Sequence, residues 1–365
     1  MSLPKDSTFI IAEAGVNHNG SVKLAKELVD IAVEAGADAV KFQLFKAENL
    51  VSPQAKLCDY QSQNDSSVSQ WELLKKLELS FNEHQSLYEY CQQQKIQYLC
   101  TPFDRECADF LINSLRLSLI KIASGEISNA LLLWTVARAS CDVILSTGMS
   151  TLDEIEKALA ILAQGYLLEK PPLTLNDCLS VYRSEETKKI LSEKVTLLHC
   201  TTEYPAPPED IHLRAMDVLQ QAFSLPVGLS DHSLGISVSL AAVARGVTVI
   251  EKHFTLSREL KGPDHQASLE PDELKKLVQE IRVVEKALGK AEKKVALSEA
   301  KNLQQVRKYL VALESIDAEE VFSEKNLGLK RVSEGDISAF FYWDMLGKKA
   351  KRAYATGEVI KEEVA

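Results

Sequence analysis

Short apolar runs that end in polar residues alternate with amphipathic stretches as far as about residue 255. The runs are FIIAEAG (9–15), AVKFQLF (39–45), QYLCTPF (97–103), LIKIASGE (119–126), VILSTGM (143–149), TLLHCTTEYP (196–205), PVGLSDHS (226–233) and VTVIEKHF (247–254). Each has strand length and is nearly continuous in apolar residues, as expected of strands buried on both faces. Between them the spacing turns helical. In KLAKELVDIAVEAG, Leu24, Leu28, Ile31, Ala32 and Ala35 fall on one face. STLDEIEKALAIL opens as a helix, with Ser150 or Thr151 as N-cap and Glu154 placed for a capping box. Eight β-then-α units predict an α/β fold, a closed (β/α)8 TIM barrel ringed by helices. A doubly wound open sheet is the alternative. It requires a glycine-rich phosphate loop after the first strand, and NHNG at 17–20 is not one.

Two insertions interrupt the rhythm. Residues 47–80 form a long polar connection on a β-to-α crossing, where a lid over the barrel mouth is expected. Residues 165–195 lengthen an α-to-β return and are expected to be peripheral. After a helix at 272–289 comes the polar stretch GKAEKKVALSEAKN, followed by strand-like pieces YLVALESI, LGLKRV and EVIKEEV. The expected division is therefore a barrel over 1–290, a linker over 291–305 and a small β domain over 306–365. A domain of roughly 60 residues has a marginal core, so docking onto a barrel is expected.

Charge narrows the partners. The net charge of −10 is not offset by any long basic block, which argues against nucleic acid. Seven cysteines (58, 91, 100, 107, 141, 178 and 200) are odd in number and never form a CxxC pair. Reduced thiols in a cytoplasmic protein are expected, rather than disulfides or a zinc site. No apolar run approaches the length of a membrane span, and the N-terminus lacks a secretory pattern, so no membrane partner is expected.

A barrel of this kind builds its site at the C-terminal ends of its strands. Those ends gather Glu13 with Asn17 and His18; Lys41 and Gln43; Thr101; Lys121, Ser124 and Glu126; Ser146 and Thr147; Thr202, Glu203 and Tyr204; Ser230, Asp231 and His232; and Glu251, Lys252 and His253. Each has an ordinary explanation when taken alone. A lysine can neutralise a nearby glutamate, a serine can cap the next helix, and a buried histidine can be satisfied within the core. Their concentration on one face argues for a site. His232 and His253 end the last two strands at equal depth and favour a divalent metal, with Asp231 or Glu251 as outer or additional ligand. Lysines ringed by hydroxyls suit a phosphate-bearing substrate. A metal opposite them would polarise the carbonyl oxygen of a second substrate.

The blocks IAEAGVNHNG, AVKFQLF, CTPFD, KIASGE, STGM, HCTTEYP, GLSDHS, IEKHFTL and GPDHQASLEP resemble, in order and spacing, the sialic acid synthases, which include N-acetylneuraminate and legionaminic acid synthases. The tail, with KNLQQVRKYLVAL, VFSEKNLGLKRV and MLGKKA, resembles their antifreeze-like (SAF) domain. The resemblance implies condensation of phosphoenolpyruvate with an N-acylated hexosamine, N-acetylmannosamine or a 2,4-diacetamido-2,4,6-trideoxymannose. The product is a nine-carbon 2-keto sugar acid, and phosphate leaves by C–O cleavage. Lys41, Thr101, Lys121, Ser124, Ser146, Thr202 and Ser230 would hold phosphoenolpyruvate, and Gln43, Tyr204, Asp264 and Arg331 would meet the sugar. His232 and His253 would bind Mn²⁺ or Mg²⁺, and Glu13 or Glu126 would handle the proton of the attacking water. Arg331 would reach a partner's site, which implies a domain-swapped homodimer.

The chain departs from its relatives in places. Leu44 stands where many carry Thr, which would remove a hydroxyl beside the site, and Thr202 stands where some carry Asn. KRVSEG replaces a KRPGNG-like loop after Arg331. Residues that distinguish acceptor sugars are expected in the 47–80 loop. Two rival readings stand beside this one: a phosphoenolpyruvate–aldose synthase making a seven- or eight-carbon keto acid, and a non-catalytic barrel that binds a carbohydrate or a partner.

Overall fold

The computed structural model describes residues 7–52, 54–55 and 69–362. Cys58 and the middle of the expected 47–80 lid lie outside them. The chain divides into two compact units, one ending at Gly289 and the other beginning at Lys290.

The first unit carries eight parallel strands: β1 (Phe9–Gly15), β2 (Ala39–Leu44), β3 (Gln97–Pro102), β4 (Leu119–Ile122), β5 (Asp142–Ser146), β6 (Val195–Cys200), β7 (Val227–Asp231) and β8 (Val249–His253). Their order in the sheet is β3-β2-β1-β8-β7-β6-β5-β4, and β3 and β4 lie side by side, so the sheet curls into a nearly closed barrel. Successive side chains point to opposite faces of a strand. Phe9, Ile11, Ala39, Leu99, Leu119, Ile144, Leu198 and Val249 form one buried cluster that fills the lower interior. Their neighbours Ile10, Ala12, Val40, Phe42 and Leu44 join the larger core between sheet and helices. Gly228 belongs to the inner stripe, where a Cβ would come within 2.6 Å of both Leu198 and the Val249 carbonyl.

The helices form where caps and apolar stripes coincide. Ser21 caps Val22–Ala35, whose Leu28, Ala32 and Ala35 are buried. Thr151 caps Leu152–Leu167 in a reciprocal capping box with Glu154. The 165–195 insertion folds into two short helices, Leu175–Tyr182 and Glu185–Lys194, anchored by buried Cys178 and Leu191. All six described cysteines are unpaired and buried. Among the described residues no helix is long and apolar enough to cross a membrane.

The second unit pairs β9 (Lys308–Ala312) with β10 (Leu327–Arg331) in antiparallel fashion over a small core that includes Leu310, Phe322, Leu327 and Tyr354. The described part of the third strand-like piece, EVIKEEV, forms no strand and makes one bridge, Val359 to Val311. A helix, Ala300–Val306, takes up the end of the segment expected to be linker.

Two buried histidines of the barrel unit titrate out of the ordinary range. Burial lowers His18 to about 4 and His84 to about 3, and His84 Nδ1 lies 2.7 Å from the Tyr98 hydroxyl. A histidine with a folded pKa below its unfolded value of about 6.5 takes up its proton only on unfolding. Its stabilising contribution is complete above that value and is lost as the pH falls towards the folded value. Thermal melts between about pH 7 and 4.5 should therefore fall more steeply for the wild type than for His84→Asn, by up to about 1.4 kcal/mol per pH unit. Equal slopes would mean that His84 is already protonated in the folded protein.

Candidate active site

The inward stripe changes character halfway up the barrel. Phe9 and Ile11 give way to Glu13 on β1, Ala39 to Lys41 and Gln43 on β2, Leu119 to Lys121 on β4, and Val249 to Glu251 and His253 on β8. Four charges thus meet on an apolar floor. Lys41 Nζ lies 2.8 Å from Glu251 Oε2 and 3.4 Å from Glu13 Oε2, and Lys121 Nζ lies 3.8 Å from Glu251 Oε1. All four side chains are buried. Burial pushes Glu13 up to about 7 despite Lys41, and pushes Lys121 down to about 8 despite Glu251. Burial also works against the charges of Lys41 and Glu251, but their partners outweigh it. Glu13 and Glu251 raise Lys41, while Lys121 and Lys41 hold Glu251 below the usual carboxylate range.

Hydroxyl groups surround Lys121. Its ammonium donates to Ser146 Oγ at 2.6 Å and to the Ile122 carbonyl at 3.0 Å. Gly148 N donates to Ser124 Oγ at 3.0 Å. A Cβ at Gly148 would lie 2.4 Å from Thr202 Oγ1 and 2.8 Å from Ser124 Oγ, so the missing side chain keeps this corner open. Thr101 Oγ1 and Thr202 Oγ1 are buried and make no hydrogen bond among the described residues. Lysines and hydroxyls converging on one corner form a cradle for an oxyanion.

The imidazoles face each other across the cavity from β7 and β8. The His232 and His253 rings are 5.6 Å apart, and the Tyr204 ring stacks on His232 at 4.2 Å. His232 Nδ1 lies 2.7 Å from the Thr201 carbonyl, which can only accept, so Nδ1 carries the proton and Nε2 keeps its lone pair. Ser230 Oγ lies 3.2 Å from that nitrogen, but its one proton is given to Glu251 Oε1 at the shorter distance of 2.7 Å. Burial holds His232 at about 4, and burial with His232 close by holds His253 well below its ordinary value. Both rings are neutral at physiological pH, the form that ligates metals. His253 Nδ1 is buried without a hydrogen bond among the described residues, 3.8 Å from Asp264 Oδ2, and burial raises Asp264 to about 6. The pair fits a divalent ion, with the Thr201 carbonyl as the outer partner that fixes one ring. Among the described residues no group of three or more His, Cys, Asp and Glu has ligating geometry. The protein would therefore supply two imidazoles, and water or substrate oxygens the remaining positions.

Comparison with known proteins places this geometry in a family. The model of the NeuB family matches residues 28–293. The chain belongs to the NeuB family. It is 48% identical over 356 residues to the N,N'-diacetyllegionaminic acid synthase of Campylobacter jejuni, covering 97% of this chain and 99% of that protein. It is 44% identical over 328 residues to the enzyme of the same name from Legionella pneumophila, covering 90% and 86%. The crystal structure of N-acetylneuraminic acid (sialic acid) synthetase from Leptospira borgpetersenii, in complex with citrate, superposes with a TM-score of 0.67 at 34% identity, covering 82% of this chain and 90% of that one.

In this NeuB-family chain, one cavity of about 400 Å³ collects most of the residues expected from the sequence. Glu13, Lys41, Gln43, Thr101, Lys121, Ser124, Ser146, Thr202, Tyr204, Ser230, His232, His253 and Asp264 all line it. Glu126 does not. It follows β4 in a 3-10 turn and accepts a hydrogen bond from Asn129 Nδ2 at 2.7 Å. Arg331 is exposed in the second unit. Asp231 and Lys252 also fall away from the cavity, because each sits one position out of phase with the inward stripe. They pair with each other at 3.0 Å behind the sheet, a structural ion pair rather than a ligand and an anion binder. Asn17 instead donates to the Phe254 carbonyl and Ser268, and Thr147 to the Leu198 carbonyl. His18 is buried outside the cavity, and Glu203 is exposed. Leu44 packs in the outer core, so its replacement of a hydroxyl does not alter the site. Glu251, expected as an outer or additional metal ligand, instead holds both lysines and Ser230. Counting by twos from Val249 places it on the inward stripe with them.

The imidazole pair generates a direct test. Protein loaded with Mn²⁺ and passed through gel filtration should keep roughly one ion per chain by elemental analysis. His232→Ala and His253→Ala should each lose it while melting as a single folded species. Full retention by both variants would move the metal elsewhere.

Proposed function

We propose that this chain condenses phosphoenolpyruvate with 2,4-diacetamido-2,4,6-trideoxymannose, forming N,N'-diacetyllegionaminic acid and releasing phosphate. The observation that carries the reading is a cradle of two buried lysines and several hydroxyls beside a neutral imidazole pair, inside one cavity. The names of the two relatives at 48% and 44% identity support this acceptor over N-acetylmannosamine. Family membership weighs against a seven- or eight-carbon keto acid, and the buried ionisable floor against a purely binding barrel.

The residues divide the work by position. Lys121 and Lys41 offset the charge of phosphoenolpyruvate, and the Ser124 and Ser146 hydroxyls supply directed donors, Ser124 being held by the Gly148 N–H. The enol carbon C3 bonds to the aldehyde carbon, leaving a cationic C2. Water adds to C2, and the C2–O bond to phosphate then breaks with its electron pair on phosphate. The two protons of the water end on the new hydroxyl and on the leaving phosphate. Glu13 faces the cavity and Glu126 does not, so Glu13 positions the water and receives its proton. Mn²⁺ or Mg²⁺ held by His232 and His253 would supply a Lewis acid for the aldehyde oxygen. Gln43, Tyr204 and Asp264 remain to orient the sugar.

The second unit is read as an SAF-like domain that caps a partner's barrel in a domain-swapped homodimer. Phe340, Phe341 and Trp343 leave 84%, 54% and 77% of their surface exposed there, a cluster of large apolar side chains of the kind that marks an interaction surface. The polar segment before it, about 14 residues, can span roughly 40 Å when extended.

Phosphate release should be fastest with the diacetamido sugar when it is compared with N-acetylmannosamine and with a pseudaminic-type altrose. Lys121→Ala should raise the KM for phosphoenolpyruvate roughly 10- to 100-fold, the worth of a charge-assisted contact of about 1.5–3 kcal/mol, and move the sugar KM far less. A shift confined to the sugar would misplace Lys121. For the dimer, subunit exchange between Arg331→Ala and Lys121→Ala proteins should raise activity above that of either variant alone when phosphoenolpyruvate is kept well below the raised KM of Lys121→Ala, because mixed dimers hold one intact pair. Verified mixed dimers with no recovery would return Arg331 to its own chain.

A further inference from the structure

The cavity has two unlike sides. On the β4–β8 side polar side chains continue to the rim, with Ser124, Thr202, Tyr204 and Asp264 beside Met149 and Pro263. On the β2–β3 side polarity stops after one layer. Two residues beyond Gln43 the inward position is Phe45, and two beyond Thr101 it is Phe103. These rings meet edge to face at 6.0 Å. The short helix Ala47–Leu50 and the helix Gln70–Leu77 complete the wall, with Leu73 and Leu77 buried behind and Leu50, Leu74 and Phe103 half-buried in front.

From this layout we infer that Leu50, Leu74, Phe45 and Phe103 select the acceptor sugar by receiving its methyl groups, one at C6 and one on the 4-acetamido substituent. The inference rests on the proposed reaction, which puts the aldehyde end of the sugar at the polar floor beside the imidazoles. Two residues along a strand rise roughly 6–7 Å, about the reach of a six-carbon chain from its aldehyde. The far end of the sugar therefore lies against the apolar layer. N-acetylmannosamine would bring hydroxyls to the same place, where the side chains of Phe45, Phe103, Leu50 and Leu74 offer them no hydrogen-bond partner and Gln70, at the start of the helix, supplies polarity at the edge of the wall, whereas methyl groups leave water at no such cost. The helix Gln70–Leu77 is the adaptable part of the wall, because it is a surface element and not a barrel strand.

Steady-state phosphate release with both sugars tests this. For the wild type, kcat/KM should favour the diacetamido sugar by roughly 10- to 200-fold, the range for one alkyl group in an apolar pocket. Leu50→Asn and Leu74→Asn should each cut that ratio about tenfold, mainly by losing the diacetamido sugar, with little change in the KM for phosphoenolpyruvate. Leu74→Met, which keeps size and apolarity, should retain the wild-type ratio. If both Asn variants lose the two sugars by the same factor, or if the wild type prefers N-acetylmannosamine, the wall does not select. Wild-type protein that releases no phosphate with any sugar would instead overturn the reaction itself.

Discussion

The ion quartet Glu13–Lys41–Glu251–Lys121 is the constraint around which the barrel is arranged. Four buried charges with a net charge near zero are tolerated only while each keeps its partner, because removing one leaves an uncompensated ion in a medium of low dielectric. Their separation is set by strand register: Glu13 lies opposite Lys41 on one side and His253 on the other, and Ser230 lies opposite Glu251. The apolar layer beneath, from Phe9 to Val249, keeps water from entering through the bottom and screening the pairs. Substrate phosphate thus meets lysines that are already desolvated and held in place, the condition under which electrostatic contacts are strongest.

Much of this architecture could be read from the sequence. All eight apolar runs are strands within a few residues, because strands buried on both faces leave an unbroken apolar signature. The polar residues at their ends were legible as a group, but not one by one. Asp231 and Lys252 looked equivalent to Ser230 and Glu251, although a one-residue difference in phase sends them to the opposite face of the sheet. The position of Glu126 was hidden for a different reason. It lies beyond the end of β4, in a turn where the period of two no longer holds.

The apolar wall could not be read in this way. Its members come from the ends of β2 and β3 and from two helices of the 47–80 insertion, and no local pattern joins Phe45 to Leu74 or Phe103. Pairing of β2 with β3 and packing of the two helices against their ends make them neighbours. In the second unit the exposed aromatics Phe340 and Trp343 were equally invisible, because a sequence of that composition would ordinarily be assigned to a core.

Gly148 bears on how this chain can vary. It lies in a loop, where insertions and substitutions are generally tolerated. Yet the space that its missing side chain leaves is enclosed by Thr202 and Cys200 at the end of β6 and by Ser124 after β4. A single methyl group there would push their Oγ and Sγ atoms aside and leave the fold's outer surface unchanged. Mutational drift can therefore reshape the helices and lengthen the insertions with little consequence, while a side chain at this one position would disturb the hydroxyls of the site before it disturbed the barrel.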